Sequence, residues 1–398
     1  MKVNFEKLSE ELLSAGMQKV RVNEAVKQIK QGMIDWPEIY SNWENCEWAL
    51  DRGFLPDRIK LFGDAFNEQT YKNYYNDYDY FMAHPLNNHF AIWINDKLTL
   101  KYMLNTSGLS QFMPEYYLYI ENDGHYSYLM EAPDSVNKDA DFLYNLLLEK
   151  KHLALKPNHG SGGAGFFGLK YQDGQIYMNN KVISREKLEE IRLTLNGYIV
   201  TEFIEQSEEM NKVFSDSDCT LRIILYKKLP ENNEDIAEYD CLLSYARFGT
   251  CRSDGASNMS RGGLAVPIDW TTGRYTGGYR GRPKFWGKEG AERGFLRHPD
   301  TGILIDGETV PHWEMIKDGL LNICKYLSSL DFFGMDVLVT EDGFKICEIN
   351  SAPTIGYGQF NIGKGCLDNE NARKFVESKK RPYKKSFIDC FKAAIEEY

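Results

Sequence analysis

No stretch of this chain approaches the roughly 18 consecutive apolar residues of a membrane-spanning helix. The opening segment, MKVNFEKLSEELLSAGMQKV, lacks the uninterrupted apolar core of an export signal. The eight cysteines, at 46, 219, 241, 251, 324, 347, 366 and 390, include no CxxC pair. Scattered thiols of this kind suit a reducing compartment and argue against zinc, so a cytoplasmic location is expected. Positive charge is not in excess either. Forty-seven Lys and Arg against 58 Asp and Glu give a formal net charge of −11, which disfavours nucleic acid as a partner. Internal repeats and long linkers are absent, so the 398 residues are expected to form two or three domains sharing packed cores.

Aromatic residues are abundant, at 14% with 25 Tyr and 22 Phe. The cluster YKNYYNDYDYF (71–81) is expected to be ordered surface or interface, since disordered chains lack aromatics. Residues 5 to about 60 repeat apolar positions at spacings of three and four and are expected to be helical. FAIWI (90–94) is a strand candidate. Asn95-Asp96 is then a plausible N-cap for a helix over DKLTLKYMLNTSG with Gly108 at its end. From residue 150 short strands recur with turns between them, Asp173-Gly174 marking a tight hairpin. YIVTEFI, CTLRIILYKK, DCLLSYARF and MDVLVTEDGFKICEIN read as strands, REKLEEIRLTL and SFIDCFKAAIEEY as amphipathic helices. The layout is α+β.

Three regions carry chemistry. In LALKPNHGSGGAGFFGLKY (153–171), glycines at 160, 162, 163, 165 and 168 follow Lys156. Glycine lets backbone N–H groups close around phosphate oxygens without a Cβ in the way. No Gly-Lys-Ser/Thr follows, so this is not a Walker loop, and what comes next is strand-like rather than helical. The arrangement is strand, lysine, glycine hairpin, strand, which fits either a phosphate lid or a plain surface hairpin. Lys156 favours the lid, because it interrupts an apolar strand and a buried ammonium needs an anion.

The second region is GMDVLVTEDGFKICEINSAPTIG. Asp336 falls on one strand, and Glu348 and Asn350 fall on the next with their side chains on one face. Two carboxylates and a carboxamide are hard oxygen donors suited to Mg²⁺ together with phosphate and water. Apolar neighbours around Glu348 favour a cation partner over an exposed carboxylate. The third is a local inversion of charge: Arg247, Arg252, Arg261, Arg274, Arg280, Arg282, Lys284, Lys288, Arg293 and Arg297, interleaved with glycines and aromatics. It suits a segment that binds an acidic ligand, with a solvated loop and a single-stranded nucleic acid site as the alternatives. His298 and His312 invite a general-base role, although a lone histidine is more often structural.

Taken in order, NDKLTLKYML, LALKP with its glycine loop, YIVTEFI, TLRIIL and DVLVTEDGFKICEIN resemble the ATP-grasp superfamily over roughly residues 90 to 365. SNMSRGGLAVPIDWTTG (257–273) and HPDTG with VPHWEMI (298–316) look like the sugar-transfer-associated ATP-grasp group, often encoded with surface-polysaccharide genes. The resemblance implies an ATP-grasp fold in three stretches. These are an N-terminal helical region (1–90), a central lid domain with the glycine loop (91–200) and a larger C-terminal α+β domain with the magnesium site (201–398). ATP and Mg²⁺ would lie between the last two. It also implies roles. Lys97, Lys156 and Arg222 would contact ATP phosphates, and Gly160, Ser161, Gly162, Gly163 and Gly165 would close over them. Glu202 would open the hinge, Phe203 and Ile204 would meet adenine through their backbone, and Glu205 (or Glu208 or Glu209) would hold the ribose. Asp336, Glu348 and Asn350 would hold Mg²⁺, while Arg247, Arg261 and Asn258 would serve catalysis. His159, Phe166 and Phe167 make this loop bulkier than a plain glycine run.

The activity implied is ATP-dependent joining of a carboxylate to an amine through an acyl-phosphate, on a cell-surface polysaccharide or peptide-like precursor, with at least one acidic substrate. Two competitors share the nucleotide site: a kinase acting on a hydroxyl, and a non-catalytic partner of a glycosyltransferase docking through 71–81. A homodimer is an alternative to the glycosyltransferase as partner, and the N-terminal helices are open to three roles: binding a partner, capping the substrate site or forming a dimer.

Overall fold

The computed structural model describes residues 2–121, 125–160, 165–232, 236–292 and 294–397. The chain divides into two compact units. Unit 1 comprises Met1–Ala91, Glu208–Asp336 and Ser351–Tyr398, and unit 2 comprises Ile92–Ser207 and Val337–Asn350.

Unit 1 begins with helices Phe5–Ala15 and Lys19–Asp35. The Asn4 side chain caps the first by accepting from the Lys7 N–H at 3.0 Å, and Gly16 ends it with φ 111°, a backbone angle that favours glycine. Helix Phe387–Ala394 packs on this first helix, and the flanking strands Lys2–Val3 and Ile395–Glu397 pair antiparallel. Leu8, Leu12, Ile29, Phe81, Phe332, Phe360 and Phe391 lie in one buried cluster. Residues 1–90, set off by the sequence as a helical region of their own, thus share a core with the later sheet and the C-terminal helices. In that sheet, strands Arg280–Gly281, Leu264–Pro267, Tyr239–Phe248 and Thr220–Lys227 lie side by side, followed by Phe332–Thr340. The pairings among the first four strands are antiparallel.

The tyrosine-rich cluster departs from expectation. Tyr74, Tyr75, Tyr78, Tyr80 and Phe81 are between 1% and 6% exposed. Tyr78 stacks on Phe387 at 4.8 Å and Tyr80 donates to the Pro353 carbonyl. They are core, not interface, because phenols buried with a hydrogen-bond acceptor in reach contribute apolar area at little polar cost.

Unit 2 carries a sheet of seven strands among the described residues. Their order is Tyr126–Tyr128, Tyr116–Ile120, Tyr198–Glu202, His152–Pro157, Phe167–Gln172, Gln175–Met178 and Lys181–Ile183. Asp173 and Gly174, at φ 51° and 77°, make the expected tight turn. Phe142, Leu146, Leu147, Leu153, Leu155 and Val200 form the core under this sheet. FAIWI is not a strand: Asn88–Ala91 is a 3-10 turn and Ile92–Asn95 a helical turn. Ile94 is 1% exposed while Ile92 is 53% exposed, so the run is not apolar on every side. The Asp96 side chain caps the next helix, Lys97–Asn105, at the Thr99 N–H (2.6 Å). Among the described residues no helix is long and apolar enough to cross a membrane.

Candidate functional site

In unit 2, Lys156 sits on a central strand. His152 pairs with Lys170 and Leu155 with Phe167 on one side, and Lys156 pairs with Ile199 on the other. Its side chain is half-buried. Among the described residues its ammonium has no hydrogen bond or ion pair and meets only the Tyr116 ring, at 5.5 Å. Burial is the main cause that lowers its pKa to about 8; Lys97 and Lys101 push the same way and Glu348 opposes.

Lys97 is buried, and its ammonium donates to the carbonyls of Gly160 (3.1 Å) and Asn158 (3.4 Å). Burial lowers its pKa, against the opposing charges of Glu348 and Asp96. The start of the glycine loop is clamped further. Asn158 donates to Asp96 at 2.6 Å and accepts from the Leu98 N–H at 3.0 Å, and His159 lies 3.3 Å from Asp96. Sequence reading passed over Asp96 in this role, and over Asn158, because the contact joins positions about sixty residues apart. The only local signal was an asparagine directly after Lys-Pro.

Gly160 and Gly165 have φ 118° and 77°. A Cβ on Gly165 would come within 2.6 Å of the Tyr198 hydroxyl, so glycine is required there both by φ and by space. Ser161, Gly162 and Gly163 lie outside the described residues.

The hinge residues follow the sheet. The Glu202 carboxylate accepts from the Glu115 N–H at 3.0 Å and lies 3.8 Å from Lys345. Phe203 stacks on His152, with ring centres 3.5 Å apart and planes 11° from parallel. Glu205 is exposed and bonds His152 Nδ1 at 2.7 Å. Ile204 is half-buried next to them. Glu208 and Glu209 open helix Glu208–Val213 and belong to unit 1. Also in unit 2, strand Gly343–Asn350 carries Glu348 and Asn350, both half-buried, and Asn350 Nδ2 donates to Glu348 Oε1 at 3.0 Å. Both side chains offer hard oxygens of the kind that a magnesium ion takes.

In unit 1, register builds a second cluster. Arg247 lies opposite Thr220 and Tyr245 opposite Arg222, so Arg222 and Arg247 are diagonal neighbours on one face. Asp336, on the next strand, is 5% exposed and accepts from both guanidinium groups. Arg222 approaches it with Nε and with Nη2 (2.9 Å), and Arg247 Nη2 lies at 3.0 Å. Arg247 also donates to Thr220 (2.9 Å) and to Asn258 Oδ1 (3.2 Å). Burial alone would raise the Asp336 pKa, but the two arginines hold it down at about 2. Arg261 stands outside this cluster. It is exposed and lies 3.5 Å from Asp254. His298 is fully buried and bonds the Gly249 carbonyl through Nε2 at 2.8 Å, a structural histidine.

Among the described residues no group of three or more His, Cys, Asp or Glu could hold a metal ion. Within unit 2, Glu348 and Asn350 supply a carboxylate and a carboxamide, an oxygen chemistry that suits magnesium alongside phosphate and water, whereas Asp336 of unit 1 is engaged by Arg222 and Arg247. The Lys156 ammonium, with no acceptor among the described residues, suits a phosphate.

The family model for sugar-transfer associated ATP-grasp proteins matches residues 78–374, well over half of the chain, and the chain belongs to that family. Its fold is accordingly the α+β ATP-grasp fold. Among curated proteins no match was found. Solved structures similar to this chain include the ATP-grasp ligase PsnB complexed with Mg, ADP and a phosphomimetic variant of its minimal precursor. There the identity is 10% and the TM-score 0.37, covering 74% of this chain and 62% of PsnB. D-alanine–D-alanine ligase from Bacillus anthracis complexed with ATP is similar at 12% identity and TM-score 0.35, covering 78% of this chain and 67% of that one. The ADP complex of PurK, N5-carboxyaminoimidazole ribonucleotide synthetase, is similar at 12% identity and TM-score 0.35, covering 69% and 52%. This chain therefore spans less than two thirds of the length of PsnB.

Proposed function

We propose that the protein is an ATP-dependent ligase that joins a carboxylate to an amine, releasing ADP and phosphate. The observation that carries this reading is Lys156, half-buried and without an acceptor among the described residues, beside a glycine loop whose first carbonyls are held by Lys97. An ammonium desolvated in this way is stabilised by an oxyanion such as a nucleotide phosphate.

The roles assigned within unit 2 are these. Lys156 binds phosphate. Lys97 holds the loop so that its N–H groups, together with Gly160, Ser161, Gly162, Gly163 and Gly165, can cover the phosphates. Glu202 opens the hinge, the Phe203–Ile204 backbone meets adenine, and Glu205 meets the ribose. Glu348 and Asn350 are the donors for Mg²⁺, which when bound would supply charge neutralisation on the transferring phosphoryl group.

In unit 1, Arg222 and Arg247 are held by Asp336 and serve developing negative charge. A substrate carboxylate oxygen attacks the γ-phosphorus and the bond to ADP breaks, giving an acyl-phosphate. An amine nitrogen then attacks the acyl carbon, the C–O bond to phosphate breaks, and the nitrogen gives up its proton. Arg247, fixed by Asp336, Thr220 and Asn258, is the candidate for stabilising the tetrahedral oxyanion. The more exposed Arg261 is the second. The sugar-transfer association of the family supports a substrate from cell-surface polysaccharide or a peptide-like precursor.

Product analysis tests the reading. The protein is incubated with Mg·ATP and a panel of acids, each with and without amines. ADP release that requires both an acid and an amine supports ligation. ADP release with a hydroxyl compound alone, yielding a phosphate ester, contradicts it in favour of a kinase.

A further inference from the structure

The basic residues between 247 and 297 are unequally engaged. Arg252 donates to the Phe285 carbonyl and rests 4.3 Å from the Trp286 ring. Arg274 donates to the Gly307 carbonyl at 2.9 Å, and Arg297 to the Gly302 carbonyl at 3.1 Å. Arg282 is different. It is half-buried, and among the described residues its guanidinium makes no hydrogen bond or ion pair. Its one partner is the Tyr357 ring, whose centre lies 4.3 Å from the guanidinium carbon.

Tyr357 is a fixed platform. A second guanidinium, that of Arg58, lies 5.1 Å from the same ring. Arg58 is wholly buried and held by Asp77 (2.9 Å), Asp57 (3.1 Å) and Gln28 (2.8 Å). Gly356 lets it approach, since a Cβ there would lie 2.6 Å from its Nη2. The backbone of Arg282 is fixed as well. Its carbonyl accepts the N–H groups of Phe285 and Trp286. Next to it, a Cβ on Gly281 would lie 2.2 Å from the Trp286 ring, so that ring packs directly on the chain.

A cation resting on a ring is held without using its N–H groups. Arg282 is thus positioned by a ring and by its backbone, while its five planar donors find no acceptor in the described protein. Partial burial of such a fork is costly unless an oxyanion meets it, and its geometry suits two oxygens of one group.

We propose that Arg282, seated on Tyr357, recognises an oxyanion of the non-nucleotide substrate, a carboxylate or phosphate group. This rests on the ligase reading above and assigns the acidic substrate's charged group to one residue.

The test is calorimetric titration of the full chain with D-glucuronate and, separately, inorganic phosphate, with Mg·ATP titrated into the same samples. The variants are Arg282→Ala, Arg282→Lys and, as a control engaged by a backbone carbonyl, Arg274→Ala. Wild type is expected to bind one of the two probes. Arg282→Ala is expected to weaken that binding at least tenfold, and Arg282→Lys several-fold, since a point charge lacks the bidentate fork. Arg274→Ala and the Mg·ATP affinity should be unchanged. Preference for glucuronate would assign a carboxylate, and preference for phosphate a phosphate group. Equal binding by wild type and Arg282→Ala would overturn the proposal, as would wild type that binds neither probe. Failure of wild type to bind Mg·ATP would instead remove the nucleotide reading, and the two oxyanion titrations would still decide the role of Arg282.

Discussion

The guanidinium of Arg247 lies 3.0 Å from the carboxylate of Asp336. A residue expected to bind magnesium is therefore also the anchor of a residue expected to stabilise the oxyanion. Two cations share one buried anion here, so the group that fixes them is the one whose loss does most damage.

Asp336→Asn is expected to destabilise the fold by about 3–5 kcal/mol, because it leaves Arg222 and Arg247 without their counter-charge. The pH dependence follows from the lowered pKa of about 2. The folded value lies below the ordinary carboxylate value of about 3.9, so the stabilisation is fully present above that value and lost as pH falls through 2; it amounts to about 2–3 kcal/mol. Urea midpoints of wild type and variant should differ most at neutral pH and converge between pH 4 and pH 2. A constant difference across that range would count against the ion pair as the cause.

Lys156 gives a prediction of opposite sense. With a pKa of about 8, its ammonium is present below pH 8 and lost above it. ATP affinity should fall about tenfold between pH 7 and pH 9, and binding at pH 9 should take up a proton, read as a buffer-dependent binding enthalpy. Lys156→Met should weaken ATP by roughly ten- to a hundredfold at pH 7 and abolish the proton uptake. Proton uptake that persists in the variant would assign the titration to another group.

Much of this architecture was legible in the sequence, and the misses have physical causes. The hairpin at Asp173-Gly174 and the strands around Lys156 carry local turn chemistry and β patterning that need no tertiary information. FAIWI failed because a five-residue apolar run has no periodicity of its own; Asp96, which caps the helix that follows, was the better guide to the local structure. The tyrosine cluster misled because a phenol is amphipathic, and only tertiary packing decides which end wins. The candidate site was legible as residue types. Its wiring was not: the Asp96–Asn158 clamp and the diagonal of Arg222 and Arg247 exist only once strand register and chain return are known.

Gly165 tests the loop directly. Its φ of 77° and the 2.6 Å approach to the Tyr198 hydroxyl leave no room for a methyl group. Gly165→Ala should weaken ATP binding severalfold. Combining it with Tyr198→Phe relieves the contact but not the φ strain, so recovery should be partial. Full ATP affinity in Gly165→Ala alone would show that the loop does not close on the nucleotide.

The central claim, a magnesium–nucleotide site, is tested most directly by calorimetric titration of Mg·ATP into wild type and Glu348→Ala. Micromolar-range binding by wild type, weakened at least tenfold by the substitution, is the predicted result. Absence of binding to wild type, or binding that is indifferent both to Mg²⁺ and to Glu348, would contradict it.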